Sequence, residues 1–599
     1  MSRERSSSQP SHFNGNDICE RQISAVSTES KEDGPRWGNR RQFILSCIGY
    51  TVGLGNFWRF PWLVKEYGGG AFLIAYILFF VLVGVPVVYL ELAVGRLMRT
   101  HTIQTWKKVS NYAAGIGMTS ILVSFMICTY YIVVVAWCFL YFISSFQYPL
   151  PWSSCPMETS GNVSRMNIEC NISDPVTYHW FRIKLDISES ISEGWTLHGG
   201  VTISYVFIWV VLILSLYKGI ESAGKVVYFT AIFPYVALVI LLLRGFFLEG
   251  AIDVGLHHFI TPKWSVLLEV DTWYNAVTQI IYSMGISLGV WVTYSSFCPP
   301  EQNILTDTLI ISFADIGSSI LGALVIFQIL GFRATRKFEE CMSVGSGKRL
   351  NKHGNHPSNR SQCSKEYFMG QASSGSGLAF IAFSESIIHL PGSPFFSVMF
   401  FLLLVALGTD SMFGMIEVIV SALRMNVRLR KMAKAIPLFL VCAPLFLIGF
   451  TMTTRAGSYV MDIILVYGTD FPLLIVAVCE VMALSYIYGV NKFTKKLEKT
   501  NKQKLQGFFK ISWRIISPVI IICVVGLRIY TYISTQNVFT AWNGALGKTI
   551  EIPYTLWSTT MSILLCICAL LPLPLGVIYG VREQYRIKCN SLELQEISV

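Results

Sequence analysis

Glycine and hydroxyl residues are concentrated in an apolar stretch near the start of the chain, Gly49–Pro61, which reads GYTVGLGNFWRFP. Three glycines within seven residues weaken a helix, and they do not share the single face that close helix packing would need. Inside a membrane, a broken helix is tolerated only where its free backbone groups line a polar cavity. Carbonyl and hydroxyl oxygens bind a cation such as Na⁺, and helix N-termini bind anionic groups. The stretch therefore predicts a site for a cation and an anionic group.

A second stretch, Gln279–Gly289, repeats this composition with the residues QIIYSMGISLG. The two stretches lie in the first and sixth apolar runs, which are equivalent positions in two five-span halves, as in inverted-repeat transporters. Asn56, Asp315 and Asp410 also lie at membrane depth, where polar side chains need partners. An ordinary apolar core therefore explains these three side chains poorly.

The composition places these residues in a membrane. Charged residues make up only 14% of the 599-residue chain, against roughly 25% in soluble domains, while 53% are hydrophobic and the mean hydropathy is +0.52. So little charge cannot cover a water-facing surface, which excludes soluble enzymes, coiled coils and disordered scaffolds. The net charge of +11 is attributed to Lys and Arg beside the cytoplasmic face of the lipid bilayer, so no nucleic-acid partner is expected.

Twelve apolar runs are long enough to cross about 30 Å of hydrocarbon. They lie near 42–65, 70–98, 114–145, 202–218, 225–245, 271–298, 305–331, 394–425, 434–453, 457–489, 513–534 and 556–580. The connections between spans 8 and 9 and between spans 10 and 11 are rich in Lys and Arg, which predicts that they and both termini are cytoplasmic. A disordered tail over 1–36, a twelve-span domain over 37–580 and a tail over 581–599 are expected.

Two long loops, about 146–200 and 332–393, then lie outside. All three glycosylation sequons fall in these loops, at Asn162, Asn171 and Asn359. Each loop also contains two cysteines, Cys155 with Cys170 and Cys341 with Cys363, in the compartment where disulfides persist. A Cys155–Cys170 disulfide is predicted. The expected location is the plasma membrane or an intracellular vesicle membrane.

Two other patterns are weaker. His353 and His356 lie near Cys341 and Cys363, but the irregular spacing and oxidising setting disfavour a zinc site. The run 219–225 matches most of a phosphate-binding loop, yet Val226 stands where Ser or Thr is required and no strand precedes it. No nucleophile elbow or metalloprotease helix is present in the sequence, so an enzyme is not expected.

The run Val52–Pro61, followed by GGGAF at Gly68–Phe72, resembles the neurotransmitter:sodium symporter family, also called solute carrier family 6. The resemblance extends from Trp37 to about Tyr579, and Tyr178–Arg182 is most similar to its neutral amino acid and orphan branch. It implies an all-α membrane protein of twelve transmembrane helices with a LeuT-like, inverted-repeat, five-plus-five core in which helices 1 and 6 are broken. The implied function is sodium-coupled symport of small neutral amino acids by alternating access.

The resemblance also implies the site residues. The first sodium site would use Thr51, Asn56, Ser283 and Asp315 with the substrate carboxylate, and the second would use Gly49, Val52, Leu407, Asp410 and Ser411. The substrate would contact Tyr50, Thr51, Gly53, Leu54, Gly55, Ile127, Tyr131, Tyr282, Ser283, Gly285, Leu288, Ser411 and Met415. Within this set, the Leu54 and Gly55 amides would bind the carboxylate, and carbonyl groups including that of Gly285 would bind the ammonium.

Chloride and the gates depart from the family pattern. Chloride-coupled members hold the anion with residues that correspond to Tyr76, Gln279, Ser283 and Ser319, but Asp315 replaces an Asn. An ionised Asp315 would repel chloride, so chloride should not be required, whereas a protonated Asp315 could donate to chloride and keep the requirement. The external gate keeps Arg59, while its acidic partner aligns with Leu465 and leaves Asp462 as a substitute. The cytoplasmic gate positions are Gly34 and Met425, with Arg36 as a substitute. These departures leave open a second hypothesis, a family member with weak transport that acts as a sensor or interaction partner.

Overall fold

A computed structural model describes residues 36–160, 163–344, 363–370, 378–501, 506–534 and 538–596. Within these residues, ten helices are long and apolar enough to cross a membrane. They are Gly70–Met98, Asn111–Ser144, Gly199–Leu216, Ser222–Gly245, Ile304–Ser343, Ser393–Leu423, Ala435–Thr453, Gly457–Asn501, Gly507–Ser534 and Leu556–Arg586. They overlap the predicted spans 2 to 5 and 7 to 12, and we keep this numbering.

Spans 1 and 6 are the two broken spans. Span 1 consists of helices Arg40–Thr51 and Phe60–Glu66 with a π-helical turn at Gly55–Arg59. Span 6 consists of helices Val270–Ser283 and Val290–Ser296. Together with the ten continuous helices they complete the twelve spans that the sequence predicted.

Backbone conformation explains the break in span 6. Gly285, Ser287 and Gly289 have φ values of 56°, 65° and 76°, which a right-handed helix cannot contain. The freed groups find partners on buried acids, because the Ser287 amide donates to Glu91 Oε1 at 2.8 Å and the Ser287 hydroxyl donates to Glu480 Oε2 at 2.8 Å. At membrane depth such partners are what makes the break tolerable.

Shorter turns interrupt or connect the spans. π-helical turns lie at Phe80–Gly84, His179–Lys184, Ala251–Leu256, Leu378–Phe383, Ile464–Asp470, Ala483–Gly489 and Ser512–Ile516. Short helices lie at Thr102–Val109, Ile168–Ser173, Pro175–Tyr178, His257–Ile260, Lys365–Gly370, Ser384–Ile388 and Val427–Arg430, and 3₁₀ turns lie at Asn111–Ala113, Trp264–Leu268 and Thr451–Thr453. Span 12 is divided into Leu556–Leu570 and Pro572–Glu596, so helix continues into the tail predicted from residue 581.

Two antiparallel hairpins lie in loops on the same side as the predicted disulfide. Met157–Ser160 pairs with Val163–Met166, and Val538–Asn543 pairs with Lys548–Pro553. The Cys155–Cys170 disulfide is present, and Cys341 is bonded to Cys363.

The second hairpin docks onto the first long loop. Glu169 Oε1 accepts hydrogen bonds from Arg182 Nε at 2.6 Å and from Trp542 Nε1 at 2.7 Å. The Phe181 and Trp542 rings stack with centroids 4.3 Å apart. Asn171 is exposed beside this contact, whereas the sequons at Asn162 and Asn359 lie outside the described residues.

Burial separates the centre of the bundle from its edge. In the most apolar stretch of span 3, 83% of residues are buried inside the protein, against 17% in span 12. Spans at the edge expose apolar side chains to what must be lipid, since water would not accept so large an apolar surface. The breaks in spans 1 and 6 lie inside the protein, because residues 51–54 and 285–289 are buried.

Candidate functional site

Four polar side chains from spans 1, 6 and 7 meet where the broken helices face each other. Asp315 Oδ1 accepts hydrogen bonds from Thr51 Oγ1 at 3.1 Å, Asn56 Nδ2 at 2.8 Å and Ser283 Oγ at 2.8 Å. All four side chains are buried. These oxygens are hard donors around one carboxylate, which suits Na⁺, and they are the four residues predicted for the first sodium site.

Asp410, the acid predicted for the second sodium site, lies against span 1. A Cβ atom built on Gly49 would lie 2.6 Å from Asp410 Oδ2, so that oxygen lies directly against the backbone of span 1. Ser411 Oγ donates to the Tyr50 carbonyl at 3.1 Å and lies 3.4 Å from the Leu407 carbonyl. Val52 ends the first helix of span 1. The donor set is again oxygen, and it fits a second Na⁺ ion.

Gly53 lets span 1 approach spans 3 and 8 closely, because a larger residue would meet their side chains. A Cβ atom at Gly53 would lie 2.9 Å from Ser411 Oγ and 3.2 Å from Tyr131 Oη. The Leu54 amide donates to Tyr131 Oη at 3.2 Å, and a Cβ atom at Gly55 would meet nothing within 4 Å. An amide at the start of a helix and a tyrosine hydroxyl are suitable donors for a carboxylate.

The predicted side-chain pocket has one unexpected contact. Tyr50 Oη donates to the Gly285 carbonyl at 2.9 Å, and the Tyr50 ring packs edge-on against Trp291 with centroids 5.1 Å apart. The Gly285 carbonyl, predicted to bind the ammonium, already has a donor in this structure. The apolar members of the pocket, Ile127, Leu288 and Met415, are all buried.

Residues in the positions of a chloride site lie beside Asp315. Tyr76 Oη, Gln279 Oε1 and Ser319 Oγ are buried without a hydrogen-bond partner of normal geometry among the described residues. Ser283, the fourth member, donates to Asp315 instead. The carboxylate near these polar atoms is Asp315. At this position, the family resemblance implies an Asn in members that bind chloride.

Arg59 makes no ion pair with Asp462 among the described residues, contrary to the substitution considered from the sequence. Its guanidinium lies over the Tyr282 ring, with Cζ 4.7 Å from the centroid, and its Nη1 is buried without a hydrogen-bond partner. Asp470, which is also in span 10, pairs with Arg528 at 3.7 Å.

A cluster of charged side chains joins spans 1, 2 and 7 at the end of the bundle away from Arg59. Asp307 Oδ1 accepts from Arg40 at 2.8 Å, and Asp307 Oδ2 accepts from Arg96 at 3.1 Å. Gln302 Nε2 also donates to Asp307 Oδ2 at 2.8 Å. Arg40, not Arg36, is therefore the arginine that ties span 1 to an acid at this end, while Gly34 lies outside the described residues.

Several of these contacts were not predicted from the sequence. Glu91 and Glu480 could have been noticed as lone acids in apolar runs, and Pro234 four residues after Thr230 marks a weakened helix turn. Thr230 donates a hydrogen bond to Asp410. Arg96 and Asp307 resemble ordinary charges at span ends, so no sequence signal distinguished them.

Comparison with known proteins agrees with this geometry. The model of the sodium:neurotransmitter symporter family matches residues 34–584. The chain is 34% identical to the mouse sodium-dependent neutral amino acid transporter B(0)AT2, over 94% of this chain and 81% of that protein. It is also 34% identical to the rat sodium-dependent neutral amino acid transporter B(0)AT1, over 94% of this chain and 93% of that protein. With broken spans 1 and 6 enclosing the Asp315 cluster, the chain belongs to the sodium:neurotransmitter symporter family, a family of transporters and not of enzymes.

Proposed function

We propose that the protein is a sodium-coupled symporter of small neutral amino acids that works by alternating access. The observation that carries the proposal is the convergence of Thr51, Asn56 and Ser283 on the Asp315 carboxylate. The names of relatives that align with nearly the whole chain support the substrate class. The same names do not favour the alternative of a sensor or interaction partner.

In this proposal the substrate carboxylate binds beside Gly53, where it takes the place of the Leu54–Tyr131 contact and accepts from the Leu54 and Gly55 amides and the Tyr131 hydroxyl. The carboxylate then completes the first sodium site together with Asp315. The ammonium binds carbonyls that flank the two breaks, including that of Gly285, which can accept a second hydrogen bond beside the one from Tyr50. The uncharged pocket wall, including Ile127 and Met415, favours a neutral side chain.

Coupling follows from where the sodium ligands lie. The first site takes ligands from spans 1, 6 and 7, and the second from spans 1 and 8, so each bound ion links span 1 to other spans. Because a ligand shifts a conformational equilibrium only through different affinities for the two states, sodium must bind best where these spans are together. Sodium binding thereby favours the state that also holds the substrate.

Placement in the cell is part of the proposal. The Lys- and Arg-rich connections support cytoplasmic termini, and the disulfide-bearing loops support an outer side with glycans at Asn171, Asn162 and Asn359. The plasma membrane or a vesicle membrane would supply the sodium gradient. Asp315 in place of a neutral ligand supports transport without chloride.

The test is uptake of a panel of radiolabelled neutral amino acids by cells with verified surface expression of the full chain. Uptake should require Na⁺ and disappear when N-methylglucamine replaces it. Surface protein that takes up no member of the panel above background would contradict symport. Uptake that is unchanged without Na⁺ would contradict the coupling mechanism but not the substrate class.

A further inference from the structure

Thr230 connects span 5 to the second sodium site. It lies within the helix Ile220–Gly245, is 9% exposed, and donates a hydrogen bond to Asp410 Oδ1. Its hydroxyl is also 3.2 Å from the carbonyl of Val226 on its own helix. A hydroxyl has one proton, so Thr230 can donate either to Asp410 or to Val226. A hydrogen bond to an ionised carboxylate is the stronger of the two.

The helix around Thr230 is weakened by Pro234. Proline has no N–H, so it cannot supply the i to i−4 hydrogen bond that the Thr230 carbonyl would normally accept. Earlier in the same helix, Gly224 lies against span 1, because a Cβ atom there would be 1.6 Å from Gln42 Nε2. Span 5 is therefore in close contact with the unbroken half of span 1 while its own hydrogen bonding is incomplete at Thr230.

The two oxygens of Asp410 face different spans. Oδ1 accepts from Thr230, whereas Oδ2 is buried without a hydrogen-bond partner among the described residues. The free Oδ2 is the oxygen that lies against Gly49, since a Cβ atom at Gly49 would be 2.6 Å from it. An unpartnered carboxylate oxygen buried against the last turn of a helix is costly unless a cation binds it.

We propose that Thr230 is a positioning residue of the second sodium site, an inference that rests on the sodium coupling proposed above. Thr230 fixes Oδ1 of Asp410 and thereby directs Oδ2 toward Gly49 and Val52, where the ion takes its remaining oxygen ligands. Without the hydroxyl, Oδ1 loses its donor and the carboxylate can rotate away from span 1. Sodium affinity then falls, while the substrate contacts on spans 1, 3 and 6 are unchanged.

The experiment compares Thr230→Val, which keeps the shape and removes the hydroxyl, with Thr230→Ser, which keeps the hydroxyl. Thr409→Val is the matched control, because Thr409 is next to Asp410 and 6% exposed but donates only to its own helix, to the Val405 and Ala406 carbonyls at 2.9 and 3.0 Å. Two quantities are measured for each variant. One is the half-saturating Na⁺ concentration of uptake, and the other is the half-saturating amino acid concentration at saturating Na⁺.

Thr230→Val should raise the half-saturating Na⁺ concentration roughly tenfold, the scale of a lost hydrogen bond to a charged group. Thr230→Ser and Thr409→Val should stay within about twofold of the wild type, a change below 0.5 kcal/mol. The half-saturating amino acid concentration should not change in any variant. An equal effect of Thr230→Val and Thr409→Val, or a change in amino acid affinity alone, would overturn the inference.

A second measurement separates this inference from the proposed function. Na⁺ is titrated against the thermal unfolding of the purified full chain in detergent, without amino acid, for the wild type, Thr230→Val and Thr230→Ala. If both variants need a higher Na⁺ concentration than the wild type to reach half of the thermal stabilisation, the inference is supported even if uptake is absent. Stabilisation of the wild type with no shift in either variant overturns it and leaves symport intact. A wild type that Na⁺ does not stabilise at all overturns both.

Discussion

Arg96 and Asp307 form an ion pair of 3.1 Å in which neither side chain is exposed, although they come from spans 2 and 7. Arg40 shares the same carboxylate at 2.8 Å but is half exposed. The Arg96 guanidinium also lies over the Phe43 ring of span 1, with Cζ 5.6 Å from the centroid. One buried acid thus joins three spans at the end opposite the disulfide-bearing loops.

We expect Asp307→Ala to destabilise the protein by about 3–5 kcal/mol, because it leaves the Arg96 charge buried and unpaired. Arg40→Gln should cost only about 0–1 kcal/mol, since solvent screens its exposed guanidinium. Denaturant unfolding of the purified protein in detergent micelles measures both. Equal losses in the two variants would show that the buried pair has no special role.

Asp315→Ala should abolish sodium-dependent uptake, because it removes the carboxylate on which Thr51, Asn56 and Ser283 converge. Asp253→Ala changes an exposed acid and serves as the control for expression and surface delivery. The assay is initial uptake rate across a Na⁺ series. A normal Na⁺ dependence in Asp315→Ala would mean that the first sodium site lies elsewhere.

Replacing chloride with gluconate at constant Na⁺ should leave wild-type uptake unchanged. Two unit charges 4 Å apart repel by about 4 kcal/mol at an effective dielectric of 20, so an ionised Asp315 excludes chloride from its neighbourhood. Asp315→Asn should create a chloride requirement, because Tyr76, Gln279 and Ser319 then surround a neutral amide. Wild-type uptake that fails in gluconate and does not recover at lower pH would contradict this account.

Tyr282→Phe should retain transport and Tyr282→Leu should weaken it. The face of the ring holds Arg59, with Cζ 4.7 Å from the centroid, while the Tyr282 hydroxyl has no hydrogen-bond partner of normal geometry among the described residues. Losing a partly desolvated cation–π contact costs about 0.5–2 kcal/mol, or roughly a 2- to 30-fold rise in the half-saturating amino acid concentration. A larger loss in Tyr282→Phe than in Tyr282→Leu would shift the role to the hydroxyl.

Lys184 predicts a pH effect on stability from the first long loop. Burial lowers the pKa of its ammonium to about 8, and its Nζ donates to Ser144 Oγ at 2.5 Å. Between about pH 8 and the higher pKa of the unfolded lysine, the unfolded chain binds more protons, so stability should rise with pH across that window. Lys184→Met should remove this rise in thermal unfolding curves. An identical pH profile in wild type and variant would contradict the assignment.

The sequence was sufficient to predict that Thr51, Asn56, Ser283 and Asp315 come together, because the four residues follow from glycine-rich breaks and from family motifs. It was not sufficient for contacts that depend on how separate helices are rotated. Tyr50 to Gly285 and Thr230 to Asp410 join residues 235 and 180 positions apart. The π-helical turn Ile464–Asp470 could not be predicted either, because no residue pattern marks the extra residue that forms such a turn. The turn ends at Asp470, the acid that pairs with Arg528.

The contact between Glu169 and Trp542 has a consequence for biosynthesis. The two residues are 373 positions apart, so at about 5–20 residues per second the ribosome adds Trp542 roughly 20–75 s after Glu169. During that interval the Glu169 carboxylate has Arg182 but not its indole partner, and Phe181 lacks its stacking ring. The first long loop can thus reach its final form only after the last hairpin has been synthesised.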